Sequence, residues 1–194
     1  MDLITMLKTM LDGMGGTCAI FFLTLLFALP LGMVVALLRM SKVKVISSIT
    51  RAVISVLRGT PLMLQLIAVT YGPYYLFELP VAKNKLIPVV IAFAINYAAY
   101  FAEIYRSGIQ SIPAGQREAA TVRGYSRSQT FFRILFPQMV KRVMPPVTNE
   151  VITLVKDTSL AFALAYTEMF TMAKQIAASQ ASLMPLVVAG VFYY

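Results

Sequence analysis

Histidine is absent from the 194 residues, and Cys18 is the only cysteine. A catalytic or metal site needs a nucleophile beside a base, or a cluster of ligands at defined spacing, and the sequence contains neither pattern. Cys18 lies inside an apolar run, and a single cysteine excludes an internal disulfide framework. We therefore expect no catalytic site, no metal and no bound cofactor in this chain.

Charge is also scarce, and acidic charge most of all. Charged residues make up 13% of the sequence against 59% hydrophobic residues, and 17 Lys and Arg stand against 8 Asp and Glu. A soluble domain carries roughly 25% charged residues. The basic residues lie between long apolar runs and form no single basic face, so membrane topology explains the net charge of +9 better than nucleic-acid binding does.

The sequence contains long apolar runs where a soluble protein would have charged residues. A helix needs about 20 residues to cross the hydrocarbon core of a bilayer. The segment Met1–Asp12 carries mixed charge, unlike a signal peptide, so we expect the first apolar run to be retained. The sequence predicts an all-α membrane protein forming a single transmembrane domain over residues 1–194. Its expected spans are three uncharged runs, a weaker fourth, and a fifth within which we expect the sequence to end: Cys18–Leu38, Gly59–Phe77, Leu86–Ala102, Val147–Tyr166 and Gln175–Tyr194.

The distribution of cations between the predicted loops indicates the orientation, because Lys and Arg resist translocation. The first and third connections carry twelve: Arg39, Lys42, Lys44, Arg51, Arg58, Arg106, Arg117, Arg123, Arg127, Arg133, Lys141 and Arg142. The opposite side carries four: Lys8, Lys83, Lys85 and Lys174. This asymmetry predicts an N-terminus outside the cell and a cytoplasmic third connection.

That third connection, from Tyr105 to about Pro146, is predicted to be structured. Ala114–Arg123 is rich in helix formers, and Gly124 suits a left-handed C-terminal cap. After Ser126 a second, amphipathic helix is expected, which Pro137 should terminate. The adjacent Ala119 and Ala120 would let the first helix approach a partner closely.

Several motifs in and around this connection are specific. They are Arg58-Gly59-Thr60-Pro61-Leu62 with Gln65, the run from Tyr100 to Ile112, Glu118-Ala119-Ala120 with Gly124, and Asn149 with Lys156-Asp157-Thr158-Ser159-Leu160. With these motifs the chain resembles the permease subunits of ABC importers, in the branch that carries polar amino acids such as histidine, arginine and glutamine. Phe136 before Pro137-Gln138, where leucine is common in that branch, is a small departure.

The resemblance implies a type I importer permease fold of about five spans in a bacterial inner membrane. It implies a dimer with a second copy or a homologous permease, and an extracytoplasmic substrate-binding protein. It further implies two cytoplasmic ABC ATPase subunits that bind and hydrolyse ATP and dock on Glu118, Ala119, Ala120 and Gly124. The permease itself would then not be an enzyme.

Glu150 and Asp157 are the unusual charges of the fourth run. Seven residues separate them, so they share one face of a helix. A charge at membrane depth costs about 3 kcal/mol, so this face is expected to meet a cavity or a partner. An alternative is a structural pair, in which Lys156 or Arg58 neutralises Asp157.

Two carboxylates at membrane depth favour a cationic amino-acid substrate such as arginine, lysine or histidine. The predicted substrate-binding residues are Glu150, Asp157, Asn149, Arg58 and Thr60, with Arg58 or the Thr60 region receiving the α-carboxylate. Glutamine or another polar amino acid is the alternative substrate, and a secondary transporter or channel is the alternative class.

The segment Arg58–Pro61 is open to two interpretations, a hinge or an interfacial arginine before a first-turn proline. The glycines of Gly13–Gly16 are expected to form a flexible joint.

Overall fold

The computed structural model describes residues 2–194, and all the regular secondary structure in that range is helical. Nine α-helices follow one another in residues 2–194, with a π-helical turn (Phe131–Leu135) before α7 and a 3-10 segment (Thr158–Leu164) after it. The helices are α1 Leu3–Arg39, α2 Lys44–Gly59, α3 Leu62–Phe77, α4 Leu86–Gln110, α5 Ala114–Val122, α6 Arg127–Thr130, α7 Phe136–Asp157, α8 Met169–Gln180 and α9 Met184–Tyr193.

Helices α1 and α4 form the centre of the fold, and both are long and apolar enough to cross a membrane. Small residues on α1, namely Ala28, Gly32 and Ala36, recur every four residues on its buried face. A Cβ at Gly32 would lie 2.8 Å from the Cβ of Phe101 on α4, so only glycine permits this approach. The close contact of backbones through small residues is the usual way in which membrane helices associate.

Helix α1 begins fifteen residues before the predicted start of the first span at Cys18, since it starts at Leu3. The expectation of a flexible joint at Gly13–Gly16 is wrong, because these residues lie inside the helix. Gly13 and Gly16 bring α1 against the backbone of Glu168 and Thr167, where a side chain would collide. The glycines therefore serve packing and not flexibility.

The second predicted span is broken. Most of the predicted first loop is the helix α2, which meets α3 at an angle of 109°. Thr60, which ends α2, is extended, because Pro61 disfavours a helical residue before it, and Pro61 then caps the start of α3. Gln65 holds the break, since its Nε2 donates to the carbonyl of Leu57 and to Oγ1 of Thr60, both at 2.8 Å.

The helix that contains most of the fourth predicted span begins earlier than predicted, and its composition does not by itself identify it as a membrane span. Pro137 does not terminate a helix: the chain passes from α6 through the π-helical turn into α7, and Pro137 lies in the first turn of α7. The π-helical turn directly before Pro137 changes the hydrogen-bond pattern there, so the helix continues although proline has no N–H to donate. Pro145 and Pro146 also lie inside α7, which continues to Asp157 before the 3-10 segment.

The fifth predicted span is two short helices. Helix α8 ends at Gln180, and Ala181 adopts a left-handed conformation with φ 47° before α9 begins at Met184. The Glu168 carboxylate caps α8 by accepting from the N–H groups of Phe170 and Thr171, each at 2.6 Å. It also accepts from the Tyr193 hydroxyl at 3.0 Å, which ties α9 to the start of α8.

Candidate functional site

A polar cavity of about 260 Å³ lies between α7, the middle of α4 and the break between α2 and α3. We call it the upper cavity. Helix α7 contributes three residues from one face, spaced by three and four positions, because such spacing returns side chains to the same side of a helix. The lining residues are Thr60, Leu62, Asn96, Tyr97, Tyr100, Glu150, Thr153 and Asp157.

The polar groups of the upper cavity bond mainly to one another and to the helix break. The Tyr97 hydroxyl donates to Oδ2 of Asp157 at 2.7 Å. Asn96 Nδ2 donates to the Leu57 carbonyl at 3.2 Å and to Oε1 of Gln65 at 3.0 Å. Buried polar side chains are therefore satisfied in a way that fixes α4 to the α2–α3 break.

The two carboxylates of α7 have no ionic partner within the described residues. All ion pairs within 4.0 Å in that range involve Glu103, which pairs with Arg39 and Arg106. The alternative in which Lys156 or Arg58 neutralises Asp157 is therefore not what the structure shows. Two carboxylates that line one cavity without an ion pair are costly where water is excluded, and a cation would offset that cost.

A second cavity of about 480 Å³ adjoins the first and shares Tyr100 and Glu150 with it. We call it the lower cavity. Its lining contains three guanidinium groups from three helices: Arg58, Arg106 and Arg142. The Arg58 guanidinium lies 4.9 Å from the centre of the Tyr100 ring, a cation–π arrangement. The two cavities thus differ in charge, since carboxylates line the upper one and arginines dominate the lower one.

The N-terminus of α3 also faces the upper cavity, through Thr60 and Leu62. The first-turn N–H groups of a helix carry partial positive charge and attract anions. A broken helix at the membrane midplane is a common way to build a substrate site in transport proteins. The cavity therefore offers an anionic face on α7 and an electropositive backbone at α3.

The structure brings together three of the five predicted substrate residues, since Glu150, Asp157 and Thr60 line one cavity. Arg58 is at the adjacent lower cavity. Asn149 lines neither cavity: its side chain is exposed, and its carbonyl accepts from Oγ1 of Thr153 at 3.0 Å. Five further residues line the cavity that were not predicted to bind substrate: Leu62, Asn96, Tyr97, Tyr100 and Thr153. Of these, Asn96 could have been found from the sequence, because it is a single amide inside an apolar run.

The predicted short helix with a glycine cap is confirmed in α5. Gly124 has φ 75°, and the N–H groups of Tyr125 and Gly124 bond to the carbonyls of Ala120 and Thr121. This pattern is a Schellman motif, which favours glycine at the left-handed position. Ser126 and Gln129 then form a capping box that starts α6 at once.

The two alanines of α5 face different surroundings. Ala120 is only 1% exposed, so its own chain already covers it, and Ala119 alone remains open to a partner. Glu118 and Val122 are exposed one turn apart, and Val122 is 89% exposed. A single exposed apolar side chain is common on protein surfaces, so the partner contact of α5 stays a prediction.

Comparison with known proteins matches residues 28–194 to the family described as "Binding-protein-dependent transport system inner membrane component". The chain is 38% identical over 163 residues to the L-cystine transport system permease protein of Bacillus subtilis (strain 168), covering 84% of this chain and 68% of the relative. It is 35% identical over 185 residues to the arginine transport system permease protein of the same organism, covering 95% and 84%. A solved structure, "Crystal structure of an amino acid ABC transporter with histidines", superposes with a TM-score of 0.86 at 29% identity, covering 100% of this chain and 91% of that one.

Proposed function

The chain belongs to the family of binding-protein-dependent transport system inner membrane components, and we propose that it carries a cationic amino acid across the membrane. The family and its relatives make it the permease subunit of an amino-acid ABC importer. The observation that supports a cationic substrate is the pair Glu150 and Asp157, which line one cavity without an ionic partner among the described residues.

An amino acid fits the charges of this site with a cationic group toward α7 and its α-carboxylate away from α7. Its cationic side chain or ammonium group lies against the carboxylates of Glu150 and Asp157. Its α-carboxylate lies against the first turn of α3 near Thr60, or against the Arg58 guanidinium beside Glu150. The Tyr97 hydroxyl holds the Asp157 carboxylate in place. Asn149, on the exposed side of α7, stays a predicted substrate contact that this single chain does not bring to the cavity.

A neutral substrate such as glutamine is the alternative within the same class. Sequence identity does not decide between them, because permeases for L-cystine and for arginine are similarly close to this chain. A secondary transporter or channel is less consistent with the molecule, because such proteins do not require the exposed, capped helix α5. Glu150 is therefore the residue on which the substrate class depends.

The partners follow from the family. Two cytoplasmic ATPase subunits dock on α5 through Glu118, Ala119 and Val122 and hydrolyse ATP, an extracytoplasmic binding protein delivers the amino acid, and a second permease closes the path. In this arrangement the N-terminus lies outside and α5 lies in the cytoplasm, in agreement with the distribution of Lys and Arg.

Competition uptake in proteoliposomes tests the substrate class, with the permease co-reconstituted with its ATPase and binding protein. Glu150→Gln should weaken arginine and lysine transport about thirtyfold, the loss that removing a charge pair worth roughly 2 kcal/mol gives, and should spare neutral competitors. Glu78→Gln is the matched control, because Glu78 is exposed and lines neither cavity. Unchanged arginine and lysine transport in Glu150→Gln, or a wild-type preference for glutamine, would contradict the cationic assignment.

A further inference from the structure

A third cavity, of about 430 Å³, lies where α1 ends and the loop around α5 begins. We call it the basic cavity. Its rim carries three cations and no acidic residue, and its floor is apolar. The rim cations are Lys42, Arg117 and Arg127, and the floor residues are Leu37, Met40, Ile109, Phe131 and Leu135.

The three rim cations have no ionic partner among residues 2–194, where every ion pair involves Glu103. Their charges come from three separate segments: the connection after α1, α5 and α6. Three converging cations repel one another, so an anion between them would relieve the repulsion. The hydroxyls of Thr121 and Thr130 also line the cavity and could donate to such an anion.

The position of the cavity indicates which anion. The uncharged run of α1 ends at Leu38, so Lys42 lies just beyond the membrane-spanning part of the helix. Val34 and Leu37 are 53% and 45% exposed, and they stand three residues apart on one side of α1. An exposed apolar strip therefore leads from the bilayer core to the floor of the basic cavity. A water-soluble anion would leave that strip uncovered, whereas a phospholipid would cover it with an acyl chain.

We propose that the basic cavity binds the phosphodiester headgroup of an anionic phospholipid, whose acyl chain lies along Val34 and Leu37. Basic recesses between helices on the cytoplasmic side of membrane proteins are suited to such headgroups. The assignment to the cytoplasmic leaflet rests on the proposed function, because it uses the orientation given there. Arg117 and Thr121 belong to α5, so a bound lipid would also steady the helix that meets the ATPase.

The test uses the complete transporter, permease with ATPase, in phosphatidylcholine nanodiscs that contain increasing phosphatidylglycerol. Native mass spectrometry counts the phosphatidylglycerol retained by each complex. Lys42→Gln/Arg127→Gln should lower the apparent affinity for phosphatidylglycerol about thirtyfold, because each cation at the surface contributes roughly 1 kcal/mol. Lys42→Gln alone, in a connection outside the helices, should lower it about fivefold and serves if the double variant does not assemble.

The matched control is Arg123→Gln/Arg133→Gln, which removes two charges from a separate cavity beside α5. An equal loss in this control would overturn the proposal, since net charge alone would then explain binding. Displacement of phosphatidylglycerol by millimolar inorganic phosphate would overturn it in favour of a free-phosphate site. Loss of the ATPase from Lys42→Gln/Arg127→Gln with lipid affinity unchanged would assign the cavity to the ATPase. Wild-type complexes that retain phosphatidylglycerol in nanodiscs but take up no amino acid after reconstitution in proteoliposomes would contradict the proposed function alone.

Discussion

Helices α4 and α7 have similar lengths, 25 and 22 residues, but opposite surroundings. In α4 fifteen residues are buried, many of them alanine or aromatic, whereas only Met139, Val143 and Leu154 are buried in α7. Among the described residues, α7 also carries two internal prolines, two exposed lysines and two carboxylates without an ion pair within 4.0 Å. The contrast indicates that packing on α4 stabilises the fold, while α7 holds groups that cost stability and are retained for transport.

The largest expected effect of a single substitution is on the packing of α4. Gly32→Val places side-chain atoms where Phe101 and the Ala98 carbonyl now lie, so α1 and α4 must separate. We expect a loss of about 3 kcal/mol in the free energy of unfolding, the upper range for overpacking. Thermal unfolding in detergent measures it. Gly15→Val is the control, because nothing lies within 4 Å of its Cβ on the same helix, and equal destabilisation of both variants would refute the packing argument.

Asp157→Asn tests whether a carboxylate of α7 serves transport or stability. Removing a charge from membrane depth should leave the free energy of unfolding unchanged or raise it by about 1 kcal/mol, because part of the insertion cost disappears. Uptake should fall, because the substrate cation loses a partner. Tyr97→Phe, which removes only the hydroxyl bonded to Asp157, should have a smaller effect on uptake. A clear loss of stability in Asp157→Asn would mean that this carboxylate is structural.

The glycine cap of α5 lies outside the contrast between α4 and α7, and changing it is expected to affect coupling more than stability. Gly124→Val strains a left-handed position by about 1 kcal/mol or more, although no atom lies within 4 Å of the added Cβ. ATP hydrolysis should continue while uptake declines, as measured by the ratio of the two rates in proteoliposomes. Gly115→Val is the control, because Gly115 lies inside α5 at an open position of ordinary φ. This variant should leave the ratio of hydrolysis to uptake unchanged. Normal coupling in Gly124→Val would count against α5 as the coupling element.

Much of the fold could be predicted from the sequence. The remaining features have physical causes that a hydropathy pattern does not contain. The apolar runs predicted α1 and α4, and Gly124 predicted the cap of α5. The break at Pro61 and the passage of α7 through Pro137 depend on neighbouring carbonyls and on a π-helical turn, which no local propensity reports. The shared cavity of Glu150 and Asp157 followed from their spacing, but Asn96 and Tyr97 reach it from another helix, which only the tertiary packing determines.

The π-helical turn before α7 has a mechanical consequence. It joins α6 to α7 without a loop, so the segment from the α5 turn to the upper cavity is a continuous lever arm. From Phe136 to Glu150 this arm measures roughly 21 Å at 1.5 Å per residue. A rigid tilt of about 10° with its pivot at Phe136 would therefore displace the Glu150 carboxylate by roughly 4 Å, comparable to the diameter of the group it is proposed to hold. A small rotation imposed by an ATPase would be enough to pull a carboxylate out of contact with its cation.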